Sequence, residues 1–131
     1  MKRIVIVCLT LMLGACAHKH EPVYNVDDPM PASAQALSLD KIEVAIVEAG
    51  QTRGWKFQHV AAGHLIATQT TEKLSATVDI YFDKQSWRIA YQSSVGMKAE
   101  NGTIHEHYNS WVHNLEQDIS TRLTNAAILA K

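Results

Sequence analysis

Strict alternation of side-chain type over nine residues is the feature that most constrains the fold of this chain. From Leu74 to Phe82, apolar and polar residues alternate without a break. Successive side chains of a β-strand point to opposite faces of a sheet, so this period predicts a strand with one buried face and one polar face. The predicted inward side chains are Leu74, Ala76, Val78, Ile80 and Phe82, and the predicted outward ones are Ser75, Thr77, Asp79 and Tyr81.

Three further segments are typical of strands and are separated by short turns. They are Trp55–Val60, His64–Thr70 and Trp87–Gln92. Turn residues lie between them, which predicts an antiparallel meander of four strands with one polar face. In the second of these strands the register stays open, because Leu65 and Ala67 compete with Ile66 and Thr68 for the inward positions.

Two amphipathic helices flank the predicted sheet. Ser38 is a suitable N-cap for a helix that begins at Leu39. A closing helix is predicted from about Glu106 to Ala127. Its buried stripe contains Tyr108, Trp111, Val112, Leu115, Ile119 and Leu123. Both helices are expected to cover the apolar face of the sheet, so the predicted fold class is α+β, a two-layer sandwich with the N-terminal and C-terminal helices on one face.

The N-terminal residues have the three parts of an export signal. Lys2 and Arg3 are basic, the run from Ile4 to Leu13 is apolar, and small residues follow it. A membrane-spanning helix needs about 20 apolar residues, so this run predicts a removable signal peptide. The predicted organisation is a signal peptide over residues 1–15, a proline-containing tether over 16–36, and one domain over 37–131.

The end of the leader, Leu13-Gly14-Ala15-Cys16, resembles the lipobox of bacterial lipoproteins. The resemblance implies that Cys16 becomes the first residue of the mature chain, with a diacylglycerol on its thiol and an acyl chain on its amine. Ala17 stands where an Asp would, by the rule of that family, favour retention at the inner membrane. The resemblance therefore implies an outer-membrane anchor with the domain facing the periplasm; the alternative is an ordinary secretory signal in which Cys16 happens to follow small residues.

A wider resemblance covers nearly the whole chain. Its motifs are Pro22-Val23-Tyr24-Asn25-Val26, Gly54-Trp55, Ile104-His105 and Tyr108-Asn109-Ser110-Trp111-Val112. Together with the lipobox, they resemble a family of small proteobacterial outer-membrane lipoproteins of unassigned function. This resemblance implies an anchor and brings no reaction with it.

Composition excludes several chemistries. Without the leader the chain has 10 basic and 13 acidic residues, a formal net charge of −3, and a mildly acidic domain is not expected to bind nucleic acid. Cys8 lies in the leader and Cys16 is the predicted lipidation residue, so no cysteine nucleophile, disulfide or cysteine metal site is expected. There is no Gly-x-Ser-x-Gly motif and no glycine-rich phosphate loop, so we expect no enzyme and no cofactor.

Seven histidines raise the alternative of metal binding. His18 and His20 lie beside the predicted anchor, whereas His105, His107 and His113 surround the start of the last helix. His107 and His113 are about 240° apart around a helix, so they are not expected to converge on an ion, and no metal ligands are assigned. His59 and His64 flank the first hairpin turn, which predicts either a pH-sensitive pair or, as we favour, two exposed side chains.

The leading functional hypothesis is therefore a non-enzymatic binding or scaffolding module. Its partners are the membrane, through Cys16, and another envelope protein or a glycan. The predicted contact surface is the polar face of the sheet, and the loop Val95–Gly102 with Met97 is a second candidate. The polar face comprises Lys56, Gln58, Ser75, Thr77, Asp79, Tyr81, Arg88 and Gln92.

Overall fold

The computed structural model describes residues 19–129. The signal peptide and Cys16, the predicted lipidation residue, lie outside the described residues. The described elements follow one another along the chain as seven strands and three helices. They are β1 His20–Pro22, β2 Val26–Pro29, α1 Ala32–Gln35, α2 Leu39–Gln51, β3 Lys56–Ala61, β4 His64–Thr70, β5 Ser75–Phe82, β6 Ser86–Val95, β7 Thr103–His105 and α3 Glu106–Leu129.

The main sheet is antiparallel and has five strands in the order β2-β6-β5-β4-β3. Strands β3 to β6 are the predicted meander, so the α+β class is confirmed, but the prediction of four strands is wrong. The fifth strand, β2, pairs with β6 in a register that places Val26 opposite Ile89. Its sequence, Val-Asp-Asp-Pro, has no alternation that would mark a strand, and it is ordered by backbone pairing with the long strand β6.

A second, two-stranded sheet joins the two ends of the domain. In it, β1 pairs with β7, and His20 lies opposite His105. The candidate contact loop Val95–Gly102 therefore lies between two paired strands, β6 and β7. Strand β6 extends to Val95, and the backbone N–H of His105 donates to the carbonyl of Met97 at 2.9 Å.

The segment that the sequence predicts to be a tether is folded from residue 20 onward. Val26, Met30 and Ala34 are all buried in the hydrophobic core. The prolines stand where a missing N–H costs little, at the ends of the short strands β1 and β2 and at the start of α1. The predicted domain boundary at residue 37 is consequently too late in the chain.

Helix α2 begins as the sequence predicts. The backbone N–H of Lys41 donates to the Ser38 hydroxyl at 3.3 Å, and Ile42, Ala45, Ile46 and Ala49 face the core. The helix contacts the sheet near Phe57 of β3, since a Cβ placed on Gly50 would collide with the Phe57 ring and lie 3.3 Å from Leu115 Cδ1 of α3. The two long helices and the sheet thus share one core.

Helix α3 buries five of the six predicted stripe residues, namely Tyr108, Val112, Leu115, Ile119 and Leu123. Trp111, the sixth, is only partly buried at the edge of the core. Two salt bridges connect α3 to the α2 region: Arg53 Nε lies 2.5 Å from Asp118 Oδ2, and Arg122 pairs with Glu48. Among residues 19–129, no helix is both long enough and apolar enough to cross a membrane.

Candidate functional site

The polar face of the main sheet presents a row of three stacked side chains, one from each of its central strands. Tyr81 of β5 has His64 of β4 and Arg88 of β6 as its cross-strand partners. The His64 and Tyr81 ring centroids are 4.3 Å apart with 19° between the planes, and Arg88 Cζ lies 4.7 Å from the Tyr81 centroid. Tyr81 is therefore held between a histidine and an arginine.

Asp79 fixes one end of this row. Its Oδ1 atom lies 2.7 Å from Nε2 of His64, and the Gln92 side-chain amide donates to both carboxylate oxygens, at 3.3 and 3.2 Å. Strand β6 has a β-bulge at Gln92, which lies between Tyr91 and Ser93 and has no paired residue on β5. The bulge allows the Gln92 side chain to reach Asp79. We call Gln92, Asp79, His64, Tyr81 and Arg88 the outer-face cluster.

Arg88 and Gln92 are the exposed members of the outer-face cluster, and Arg88 is its exposed cation. In the described part of the chain it forms no salt bridge, and stacking on Tyr81 is what orients it. Such a cation–π contact contributes about 0.5–1 kcal/mol at an exposed site. The planar guanidinium therefore keeps N–H donors available to a carboxylate or another acceptor on a partner.

The sequence places most of this cluster correctly. The predicted outward residues of β5 and β6, including Asp79, Tyr81, Arg88 and Gln92, are half-buried or exposed. The sequence does not identify His64 as a member, because it leaves the register of β4 open. The structure resolves that register, since Leu65 and Ala67 are buried while His64 shares a face with Tyr81.

The alternative of a His59–His64 pair is wrong, and the favoured expectation of two exposed side chains holds for His59 but not for His64, which is half-buried. His59 Nδ1 lies 2.7 Å from Oε1 of Glu43 on α2, whereas His64 contacts Asp79 on the polar face. His59 is the cross-strand partner of the buried Leu65, so the two histidines point to opposite faces of the sheet.

His105, His107 and His113 also have partners. The rings of His105 and His107 are stacked at 4.6 Å with their Nδ1 atoms 3.0 Å apart, and the His113 ring stacks on Tyr24 at 3.8 Å. His18 lies outside the described residues. Residues 19–129 contain no group of three or more His, Cys, Asp or Glu side chains arranged to hold a metal ion.

A carboxylate pair that the sequence gave no reason to expect lies beside α3. Asp28 of β2 hydrogen-bonds to Glu116, and partial burial together with that bond raises the pKa of Asp28 to about 6. The hydroxyl of Tyr24 also donates to Glu116, at 2.6 Å, and this bond and burial raise the pKa of Tyr24 to about 12. The two carboxylates are 88 positions apart in the sequence, so no local motif marks them.

The second candidate surface, the loop Val95–Gly102, does not present its methionine. Met97 is fully buried, so its proposed role as an exposed contact is wrong.

Comparison of the chain with protein-family models, with curated proteins and with solved structures found no match in any of the three.

Proposed function

We propose that this chain is a lipid-anchored outer-membrane lipoprotein whose periplasmic domain is a non-enzymatic binding or scaffolding module. The anchor is proposed from the lipobox resemblance at Leu13-Gly14-Ala15-Cys16 and the leader before it. In this proposal the two long helices cover one face of the sheet, and the other face, with the outer-face cluster, contacts the partner. The observation that carries it is the exposed Arg88 stacked on Tyr81.

The order of the outer-face cluster supports a binding role. Tyr and Arg are the residues enriched at protein interfaces, and side chains that are already held in place lose less entropy when a partner binds. Here the hydrogen bonds of Asp79 fix His64 and Gln92, and the stacked row fixes Tyr81 and Arg88. The surface is therefore organised before any partner arrives.

The same geometry gives little support to catalysis by the His64–Asp79 pair. Asp79 orients a histidine, as in acyl-transfer enzymes, but such enzymes also place a hydroxyl or thiol nucleophile against that histidine. Within residues 19–129 the only hydrogen bond of the His64 side chain is the one to Asp79. We accordingly propose binding of another envelope protein or a glycan.

Capture of the full-length lipidated protein from gently crosslinked cells tests this proposal. A Cys16→Ala variant tests the need for the anchor, and Arg88→Ala and Tyr81→Ala test the outer-face cluster. Lys84→Ala, in the neighbouring β5–β6 turn, is the matched control because it removes an exposed cation outside the cluster. We expect one envelope protein or glycan to be enriched by the native protein and by Lys84→Ala, and to be lost at least tenfold in the other three variants.

Two results would count against the proposal. Equal capture by Arg88→Ala, Tyr81→Ala and the native protein would show that the outer-face cluster is not the contact surface. Enrichment of nothing above background by the native protein would exclude a stable scaffold.

The alternative function is histidine-dependent metal binding, and one observation favours it. His105 and His107 bring two ring nitrogens within 3.0 Å of each other. Zinc or copper titration, followed through the histidine NMR signals, tests this alternative. Selective changes at His105 and His107 would support it, and unchanged signals at micromolar metal would exclude it.

A further inference from the structure

The folded part of the chain begins very close to the proposed anchor. Lys19 is three positions after Cys16, and its carbonyl already accepts a 3.0 Å hydrogen bond from the backbone N–H of Glu106 at the start of α3. The next residue, His20, opens strand β1. Three residues extend at most about 11 Å, whereas the twenty-residue tether expected from the sequence would reach about 70 Å.

This distance defines which end of the domain meets the membrane. The β1–β7 sheet and the turn at residues 96–102 form one unit, since the Val23 N–H donates to the carbonyl of Gly102. We call this unit the ribbon end. We propose that the ribbon end lies against the lipid headgroups and is a membrane-contact surface. The inference rests on the proposed lipidation at Cys16 and adds to it a fixed orientation of the domain.

The chemistry of the ribbon end fits a headgroup layer. Its exposed polar side chains include Lys98, Glu100 and Asn101, and the exposed Lys19 immediately precedes it. Lysines form favourable contacts with anionic lipid, at about 1 kcal/mol each close to the surface, and the polar groups match headgroup phosphates and carbonyls. A covalent anchor supplies the affinity, so the surface itself needs only to be compatible with headgroups.

Charge beside α3 disfavours one of the orientations in which the domain would lie flat on the membrane. Glu106 begins α3 at the ribbon end, and the helix has 24 residues, so its far end lies about 36 Å away. An acidic depression lined by Asp28, Glu116 and Asp118 flanks the middle of the helix. Carboxylates are repelled by an anionic surface, and laying the domain on this side would bring them onto the lipid.

Energy transfer from the protein to labelled lipid tests the orientation. Lipidated protein is reconstituted into phosphatidylethanolamine and phosphatidylglycerol vesicles that contain a headgroup-linked acceptor. A donor is attached at Glu100→Cys, at the ribbon end, or at Asn125→Cys, about 28 Å along α3 from Glu106; both side chains are exposed. We expect transfer at least threefold stronger from position 100 than from position 125.

A longer tether provides the matched control. Twenty Gly and Ser residues inserted between His18 and Lys19 add a coil of about 25 Å, so transfer from position 100 should fall at least twofold while the protein still floats with vesicles. Equal transfer from positions 100 and 125, or no effect of the insertion, would overturn the orientation alone. Failure to float, with no acyl mass on Cys16, would instead overturn the proposed anchor and this inference with it.

Discussion

The Tyr24 hydroxyl donates a 2.6 Å hydrogen bond to Oε1 of Glu116, a residue 92 positions later in the chain. The contact is one of several that attach the N-terminal segment to α3. The backbone N–H of Tyr24 donates to Asn109 Oδ1 at 3.0 Å, and Asn109 Nδ2 donates to the carbonyl of Pro22 at 2.8 Å. Residues 20–36 are thus held along α3 as part of the domain.

Loss of the Tyr24 hydroxyl should weaken this attachment. Tyr24→Phe keeps the ring stacked on His113 but removes a hydrogen bond to a carboxylate, and bonds to charged groups contribute about 1.5–3 kcal/mol. Since the site is partly exposed, we expect the free energy of unfolding at pH 7 to fall by about 1–2 kcal/mol. Urea denaturation measures this change. Tyr81→Phe is the control, because the Tyr81 hydroxyl makes no hydrogen bond within the described residues, and a similar loss in both variants would contradict the assignment.

Truncation at the boundary expected from the sequence should prevent folding. A chain that starts at residue 37 lacks β2 and α1, together with the buried side chains of Val26, Met30 and Ala34. Full burial of one Val or Met contributes about 1.5–3 kcal/mol, a large share of a total stability of about 5–15 kcal/mol. We expect a cooperative thermal transition by circular dichroism for a chain starting at residue 19 and none for one starting at 37. Equal melting temperatures would show that the N-terminal segment is dispensable.

The Asp28–Glu116 pair should make stability fall as the pH rises from about 4 to about 6. In this window the folded state retains a proton, because its Asp28 pKa is about 6, while the unfolded chain releases it near the ordinary value of 3.8. Above about pH 6 both states are ionised and this contribution is constant. Asp28→Asn donates to Glu116 without needing the proton, so it should stabilise the protein at pH 8 and leave it unchanged at pH 3.5.

The size of that gain is limited by exposure. Asp28 is half-exposed, and solvent screening restricts such interactions to about 1 kcal/mol or less. Thermal melts of both proteins from pH 3.5 to 8 give the difference. Glu72→Gln, an exposed carboxylate in the β4–β5 turn, is the control and should not reproduce it; a gain at pH 3.5 as large as that at pH 8 would contradict the shared proton.

The parts of the fold that were predictable are those in which local pattern and burial agree. Strand β5 was found from its alternation and α2 from its Ser38 cap, because each signal arises within a few residues. Strand β2 was missed because its sequence, Val-Asp-Asp-Pro, carries no period and its partner lies about 60 residues away. The local alternation of β5 and β6 indicates the outward positions of Asp79, Tyr81 and Arg88. The Asp28–Glu116 pair is not predictable, because its two residues are far apart in the sequence.

Two tryptophans, Trp87 and Trp111, differ in how deeply they are buried. The sequence places Trp111 in the core, but it is only partly buried, whereas Trp87 of β6 is 1% exposed. Replacement of a fully buried aromatic residue by Ala leaves a cavity and costs about 3–5 kcal/mol. We expect Trp87→Ala to lose about that much in urea denaturation and Trp111→Ala to lose clearly less. A larger loss in Trp111→Ala would contradict the burial of the two rings.

Gly63, in the turn between β3 and β4, lies close to the backbone of Phe82. Its φ is +75°, and a Cβ there would lie 2.5 Å from the backbone oxygen of Phe82. The backbone cannot move aside easily, because Phe82 N–H donates to the carbonyl of Gly63 at 2.9 Å and Phe82 is buried. Gly63→Ala therefore combines a conformational penalty of about 1–2 kcal/mol with a steric clash.

Gly102→Ala separates these two effects. Gly102 has nearly the same φ, +76°, but a Cβ there meets no atom within 4 Å. This variant should lose only the conformational penalty of about 1–2 kcal/mol, whereas Gly63→Ala should lose more in the same urea denaturation. Because φ is nearly equal at the two glycines, the difference between the two losses measures the clash with the Phe82 backbone. Equal losses would show that the β3–β4 turn can move away from Phe82.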